Sequence, residues 1–445
     1  MAMKVKPPAP WQIRHPNAAG IDVGSAAHYV AVPADRCEQP VRCFSSDTQD
    51  LQALAEWLSE CGVDTVAMES TGVYWIALYE LLESRGFTVC LSDARHVKNV
   101  SGRKSDVIDC QWLQQLMTYG LLQAAFRPQE QICALRTVVR ERQRLIEDQG
   151  RCVQHMQKVL TQMNVQLANQ LSDIAGKSGL AIIRAIVAGE RDGMKLAALR
   201  DYRVHASQEQ IARSLQGSWR EEHLLCLASA LSLFEAYATQ IEQFDRAIER
   251  MLVREARIHG EVPAAKKNKR GGKHAPSFDA RSALYHWAGV DLTQIGGIDV
   301  STALVVLSEV GWDLSKFNSS KCFANWLGLC PSTRITGGKR IGGATKRARN
   351  RAAQALKLAA QGLQRSHCAL GAYYRKVAAR SGAGKAITAT AHKLARIIYA
   401  MLTHKSEFVA RSQEHHEQQH RQRSLRQLQR KAALMGFQLQ PIPAA

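Results

Sequence analysis

From Ala18 the chain alternates short apolar runs with longer amphipathic ones. AAGIDVGSAAHYVAVPA reads as a strand, a Gly-Ser turn and a second strand, and VRCFSSD continues as a third. TQDLQALAEWLSECG has the apolar spacing of an amphipathic helix. Then DTVAMES reads as a strand, TGVYWIALYELLESRG as a helix, FTVCLSDA as a strand and SDVIDCQWLQQLMTYG as a helix. Strands alternating with helices predict an α/β sheet with parallel pairs. From about residue 130 the pattern changes. Val153, Met156, Leu160, Met163 and Leu167 step by three and four, as do Ile132, Leu135 and Val139 upstream. The repeat is imperfect from Arg142 to Gln149. A coiled-coil arm or hairpin and a helix packed on its own domain are both consistent with this seam.

Residues 171–258 read as mostly helical, EVPAAKKNKRGGKHAPS (261–277) as a basic linker, and the stretch from about 281 to 405 as a second, mostly helical domain. The expected organisation is a flexible tail (1–16), an α/β domain (17–125), a helical or coiled-coil arm (126–260), a linker (261–280), the mostly α domain (281–405) and a polar tail (406–445). A length of 445 residues accords with two or three domains. No apolar run of membrane-spanning length and no signal-peptide core are expected, so the reading is of a cytoplasmic protein. The eleven cysteines form no CxxC pair, which argues against a zinc ribbon or a disulfide framework and predicts mostly buried, reduced thiols.

Charge sharpens the picture. The formal net charge is +20, and from Leu314 to Ser406 there is no Asp or Glu. A solvated surface usually mixes signs. An acid-free stretch of this length suits a surface that tracks a polyanion.

Against that background the acids of the first domain stand out. Asp22 lies in the first strand and Glu69 at the end of a later one, while Asp106 and Asp109 share one face of a helix. Carboxylates converging above one sheet repel unless cations sit among them, and two Mg²⁺ ions would answer that need. The plain alternatives are that Asp106 caps its helix, that Asp109 is a solvated surface acid and that Glu69 is an ordinary strand-end acid. GIDVGS also looks like the first phosphate loop of actin-like and sugar-kinase ATPases, but the further Gly-rich loops those need are missing, and SGAGKA (381–386) lacks the first Gly and last Ser/Thr of a P-loop.

In the second domain, LTQIGGIDVSTALVVLSEVG (292–311) reads helix, Gly-containing turn, helix. The turn either grips a phosphate through the N–H groups of Gly296 and Gly297 or is a plain αα-turn. Downstream, Gly337 and Gly338 allow close backbone approach to a ligand, flanked by Arg334, Lys339 and Arg340, with the Thr336 hydroxyl beside them. Lys346, Arg347, Arg349 and Arg351 read as phosphate contacts at the head of a basic helix.

At these residues the sequence resembles the DEDD-type insertion-sequence transposases. NVSGRKSDVIDCQWLQQL and the GLCP and TGGK segments carry the likeness, over roughly residues 17–405. The resemblance implies an RNase H-like (RuvC-like) N-terminal domain, a helical coiled-coil arm and a mostly α transposase domain. It implies a bacterial, nucleoid-associated recombinase that excises and inserts its own element. Asp22, Glu69, Asp106 and Asp109 would bind Mg²⁺, with Arg103 and Lys104 beside them on nucleic acid. The implied partners are DNA (element ends and target), a structured non-coding bridge RNA as guide, and further copies of the chain in a homo-dimer or tetramer. The family's attacking serine falls on Thr336 here, with Ser332 and Thr333 as neighbouring hydroxyls. A junction-resolving hydrolytic nuclease and a non-catalytic nucleic-acid-binding protein are the rival readings.

Overall fold

The structure is a computed structural model. It describes residues 12–70, 72–92, 105–265, 272, 274–331, 334–341, 343, 345, 350–408 and 428–438, with positions 422, 425 and 426. The chain forms two compact units, residues 1–127 and 128–445.

The first unit is a five-stranded mixed sheet with helices on both faces. Its strands are β1 (Ala18–Val23), β2 (Ala27–Ala31), β3 (Val41–Ser45), β4 (Thr65–Glu69) and β5 (Thr88–Ser92); its helices are α1 (Thr48–Glu60), α2 (Trp75–Ser84) and α3 (Asp106–Thr118). Every element expected here forms. The spatial order is β3-β2-β1-β4-β5, antiparallel through the first three strands and parallel from β1 to β4 to β5. The parity of β1 explains both layers. Ala19, Ile21 and Val23 enter a core with Leu51, Leu54 and Leu58 of α1 and Leu78 and Leu82 of α2. Ala18, Gly20 and Asp22 face the other way, where α3 lies along β1 and β2. Gly20 permits that approach, since a Cβ there would stand 2.2 Å from the Cys110 carbonyl oxygen. The N-terminal segment is tied down as early as Arg14 and His15, whose N–H groups both donate to the Thr118 carbonyl.

The second unit is mostly helical. α4 (Glu130–Gln162) and α8 (Glu221–Arg254) form its longest pairing, and α5 (Lys177–Val187), α6 (Gly193–Ala198) and α7 (Gln208–Ser214) occupy the chain between them. Met163, Leu167, Ile182, Ile183, Leu196 and Ile211 form one core with Leu227 and Leu231 of α8. The seam of α4 is therefore covered by a helix of the same chain. The repeat that looks imperfect in the sequence in fact continues: Arg142 and Gln149 occupy its next positions, between Val139, Ile146 and Val153. Both polar residues are paired. The buried Arg142 forms an ion pair with the buried Asp245 of α8 and donates to the His274 carbonyl at 3.2 Å. Gln149 donates to the Phe234 carbonyl at 3.2 Å. Asp245 also accepts the Ser277 N–H at 3.0 Å, so one carboxylate fixes both the helix register and the following loop.

A single truncation here leaves a charge buried without its partner. Arg142→Ala is expected to destabilise the second unit by about 3–5 kcal/mol, whereas Arg142→Leu with Asp245→Leu should recover most of the loss. Denaturant unfolding of both variants checks this, and equal loss in both would refute it.

Although no uninterrupted apolar run exists, an 18-residue window of α8 has mean hydropathy 1.4, enough by composition to cross a membrane. Its pairing with α4 and the buried Asp245 are features of a packed hairpin. One sequence expectation, that on the cysteines, needs correction. All eleven thiols are unpaired, but only Cys61, Cys90, Cys110 and Cys152 are buried, while Cys43, Cys226 and Cys322 are exposed.

The remaining helices are α9 (Ala280–Ala288), α10 (Val300–Val310), α11 (Ser320–Trp326), α12 (Arg351–Gly362), α13 (Ala369–Ser381) and α14 (Ala383–His404). α10 docks on α4 through the buried Glu309, which accepts two bonds from Arg140 at 2.7 Å and pairs with Arg136 at 3.4 Å. A short hairpin of β6 (Arg334–Thr336) and β7 (Lys339–Ile341) interrupts the helical pattern.

Candidate active site

The α3 face of the sheet gathers the chemistry of the first unit. Asp22 stands near the end of β1 and Glu69 at the end of β4, on adjacent parallel strands. Glu69 is in turn level with Ser92 of β5. The first turn of α3 supplies Asp106 and Asp109. Asp106 does not cap that helix: Ser105 is the N-cap, and its hydroxyl accepts the Ile108 N–H at 3.3 Å. Both acids remain favoured there by the positive end of the helix.

Strand register and the helix along β1 put the four acids on the same face of the sheet. Burial, followed by the charges of Asp106, Asp109 and Glu69, raises the Asp22 carboxyl from its ordinary 3.8 to about 6. Beneath them, burial, aided by the charges of Asp22 and Asp109, pushes the Cys110 thiol up to about 12, so it stays neutral. As placed, no three His, Cys, Asp or Glu side chains among the described residues stand close enough to form a ligand cluster. The donor set of the four acids is all oxygen. That chemistry fits a hard divalent cation.

Two family models match the chain. A DEDD IS110 transposase model matches residues 19–165, and the Transposase IS116/IS110/IS902 family model matches residues 289–375. The chain belongs to the IS110 DEDD transposases. No curated protein matches it.

The second match covers the β6–β7 hairpin of this transposase. Gly337 and Gly338 form its two-residue turn with φ of 56° and 74°, the left-handed pair that a type I′ turn requires. Thr336 and Lys339 face each other across it, and both are exposed. The signal for this hairpin was present in the sequence: two glycines between RIT and KRI. Arg351 opens α12 and is exposed, and the Asn350 side chain caps that helix by accepting the Ala353 N–H at 3.1 Å.

Several expected contacts lie outside the described residues: Arg103, Lys104, Ser332, Thr333, Lys346, Arg347, Arg349 and the side chains of Arg334 and Arg340. At the Gly296–Gly297 turn the packing favours a plain connection. A Cβ on Gly297 would lie 2.8 Å from Leu363 Cγ, and the Asp299 carboxylate already takes the Thr302 N–H at the start of α10.

Proposed function

We propose that this transposase cuts and rejoins DNA strands at a magnesium site held by Asp22, Glu69, Asp106 and Asp109, with the Thr336 hydroxyl as nucleophile. The observation that carries the proposal is the placement of Asp22 and Glu69 side by side at the ends of parallel strands, with Asp106 and Asp109 on the helix that lies along β1. The sheet order 3-2-1-4-5, with one antiparallel half, supports an RNase H-like (RuvC-like) domain. Bound Mg²⁺ would supply charge neutralisation for a phosphodiester.

The chain's own groups do the rest. Asp22, Glu69, Asp106 and Asp109 would hold the divalent cations that neutralise the scissile phosphate. The Thr336 oxygen bonds to phosphorus as the bond from phosphorus to the 3′ oxygen breaks. The threonine gives up its proton, the leaving strand ends in a 3′ hydroxyl, and the phosphate stays on the protein. Attack by another strand's 3′ hydroxyl reverses the linkage, so strands exchange without a high-energy cofactor. The acid-free stretch from Leu314 to Ser406 supplies cations for DNA and for a structured guide RNA. The enzyme acts as a homo-oligomer in the bacterial cytoplasm, where unpaired thiols persist.

The test is to purify the chain with its co-purifying RNA and incubate it with labelled DNA bearing the element ends. Mg²⁺-dependent nicking that disappears after ribonuclease treatment is the expected result. Nicking that survives chelation of divalent ions would overturn the metal site; nicking indifferent to ribonuclease would overturn guidance alone.

A further inference from the structure

The α3 face of the sheet carries a phenol beside the carboxylates. Asp22 is paired directly with Tyr29 across β1 and β2, and Tyr29 with Cys43 across β2 and β3. Directly opposed residues of antiparallel strands leave the same face with Cβ atoms about 5 Å apart. Cys43, Tyr29 and Asp22 therefore form a row leading to the acids. Tyr29 is half-buried and Cys43 exposed, so the row is open to solvent.

A cluster of ionised carboxylates only accepts hydrogen bonds. A phosphodiester brought to Asp22, Glu69, Asp106 and Asp109 finds no donor among them, yet its non-bridging oxygens need one as charge develops. We infer that Tyr29 is a catalytic residue of this site, donating its phenolic hydrogen bond to a non-bridging oxygen of the scissile phosphodiester. This rests on the strand-cutting reading above. Tyr29 stands opposite Asp22, and its hydroxyl supplies the neutral donor the acids lack. No proton is transferred in this role, so the hydroxyl is needed for rate and not for metal binding.

The test compares the parent with Tyr29→Phe and Asp109→Asn in the nicking assay, alongside thermal unfolding with and without Mg²⁺. Tyr29→Phe keeps the ring, so its unfolding midpoint and its Mg²⁺ response should match the parent. Its kcat should fall by about 10- to 100-fold with KM for DNA little changed. If Tyr29→Phe nicks at the parent rate while Asp109→Asn is inactive, the inference about Tyr29 fails and the metal site stands. If Tyr29→Phe loses the Mg²⁺ response, the residue serves the carboxylates and the donor role is wrong. If Asp109→Asn nicks like the parent, the reading of the site fails and takes the inference with it.

Discussion

Asp109→Asn is expected to abolish Mg²⁺-dependent nicking while leaving nucleic-acid binding intact. The substitution preserves size and removes one charge from the group that raises Asp22. Loss of an outer-shell partner alone costs a metal site about 10- to 100-fold, and loss of a direct carboxylate should cost more. Binding is carried by Lys and Arg, so its affinity and salt dependence should hold. A second measurement does not depend on cutting. With the Asp22 carboxyl at about 6 against an ordinary 3.8, its neutral form favours folding: that stability is full below about 3.8 and lost as pH rises through about 6. The strain from the Asp22 charge is therefore greatest above pH 6, where Mg²⁺ would relieve it. Mg²⁺ should raise the thermal midpoint more at pH 7.5 than at pH 5, and Asp109→Asn should flatten that difference. A parent protein whose midpoint ignores Mg²⁺ at pH 7.5 would contradict the site.

The elements of the first unit were legible because each is specified locally. AAGIDV and TVAME are short β-branched and small-residue runs bounded by turns, and the helices between them carry an apolar stripe. The positions of the acids were legible because they fall where strands end and a helix begins. Pairing order was not legible, since it depends on contacts between strands far apart in sequence. Tyr29 was missed for that reason: its nearness to Asp22 is a register fact, and nothing in HYVAV distinguishes it from a surface tyrosine. The seam of α4 failed differently. A rule that asks for apolar residues reads Arg142 and Gln149 as a break, whereas the hairpin tolerates them because Asp245 and the Phe234 carbonyl satisfy their hydrogen bonds. The β6–β7 hairpin was hidden by its neighbours. A three-residue strand on each side of two glycines is a weak signal within a basic, otherwise helical region.

Thr336→Ala should eliminate the covalent protein–DNA adduct altogether, and Thr336→Ser should retain it. The hairpin explains why this residue is suited to the role. It is the last strand residue before a Gly-Gly turn, exposed, with its position held by the register against Lys339. Two left-handed glycines carry no side chains, so an incoming phosphate meets backbone and the hydroxyl rather than bulk. Threonine attacks phosphorus as serine does, but its methyl group crowds the approach. Thr336→Ser relieves that crowding and should form adduct at least as fast. The adduct is read as labelled DNA that migrates with denatured protein and is released by protease. A hydrolytic nuclease built on the same four acids would nick equally well in Thr336→Ala and show no adduct in any variant. Adduct that persists in Thr336→Ala would move the nucleophile to another hydroxyl, and Ser332 and Thr333 would then be substituted next. Because Thr336 lies in the second unit and the acids in the first, the two sets of variants separate the roles. Asp109→Asn should stop both nicking and adduct, and mixing it with Thr336→Ala protein should restore activity only if oligomers exchange subunits and draw the two groups from different copies.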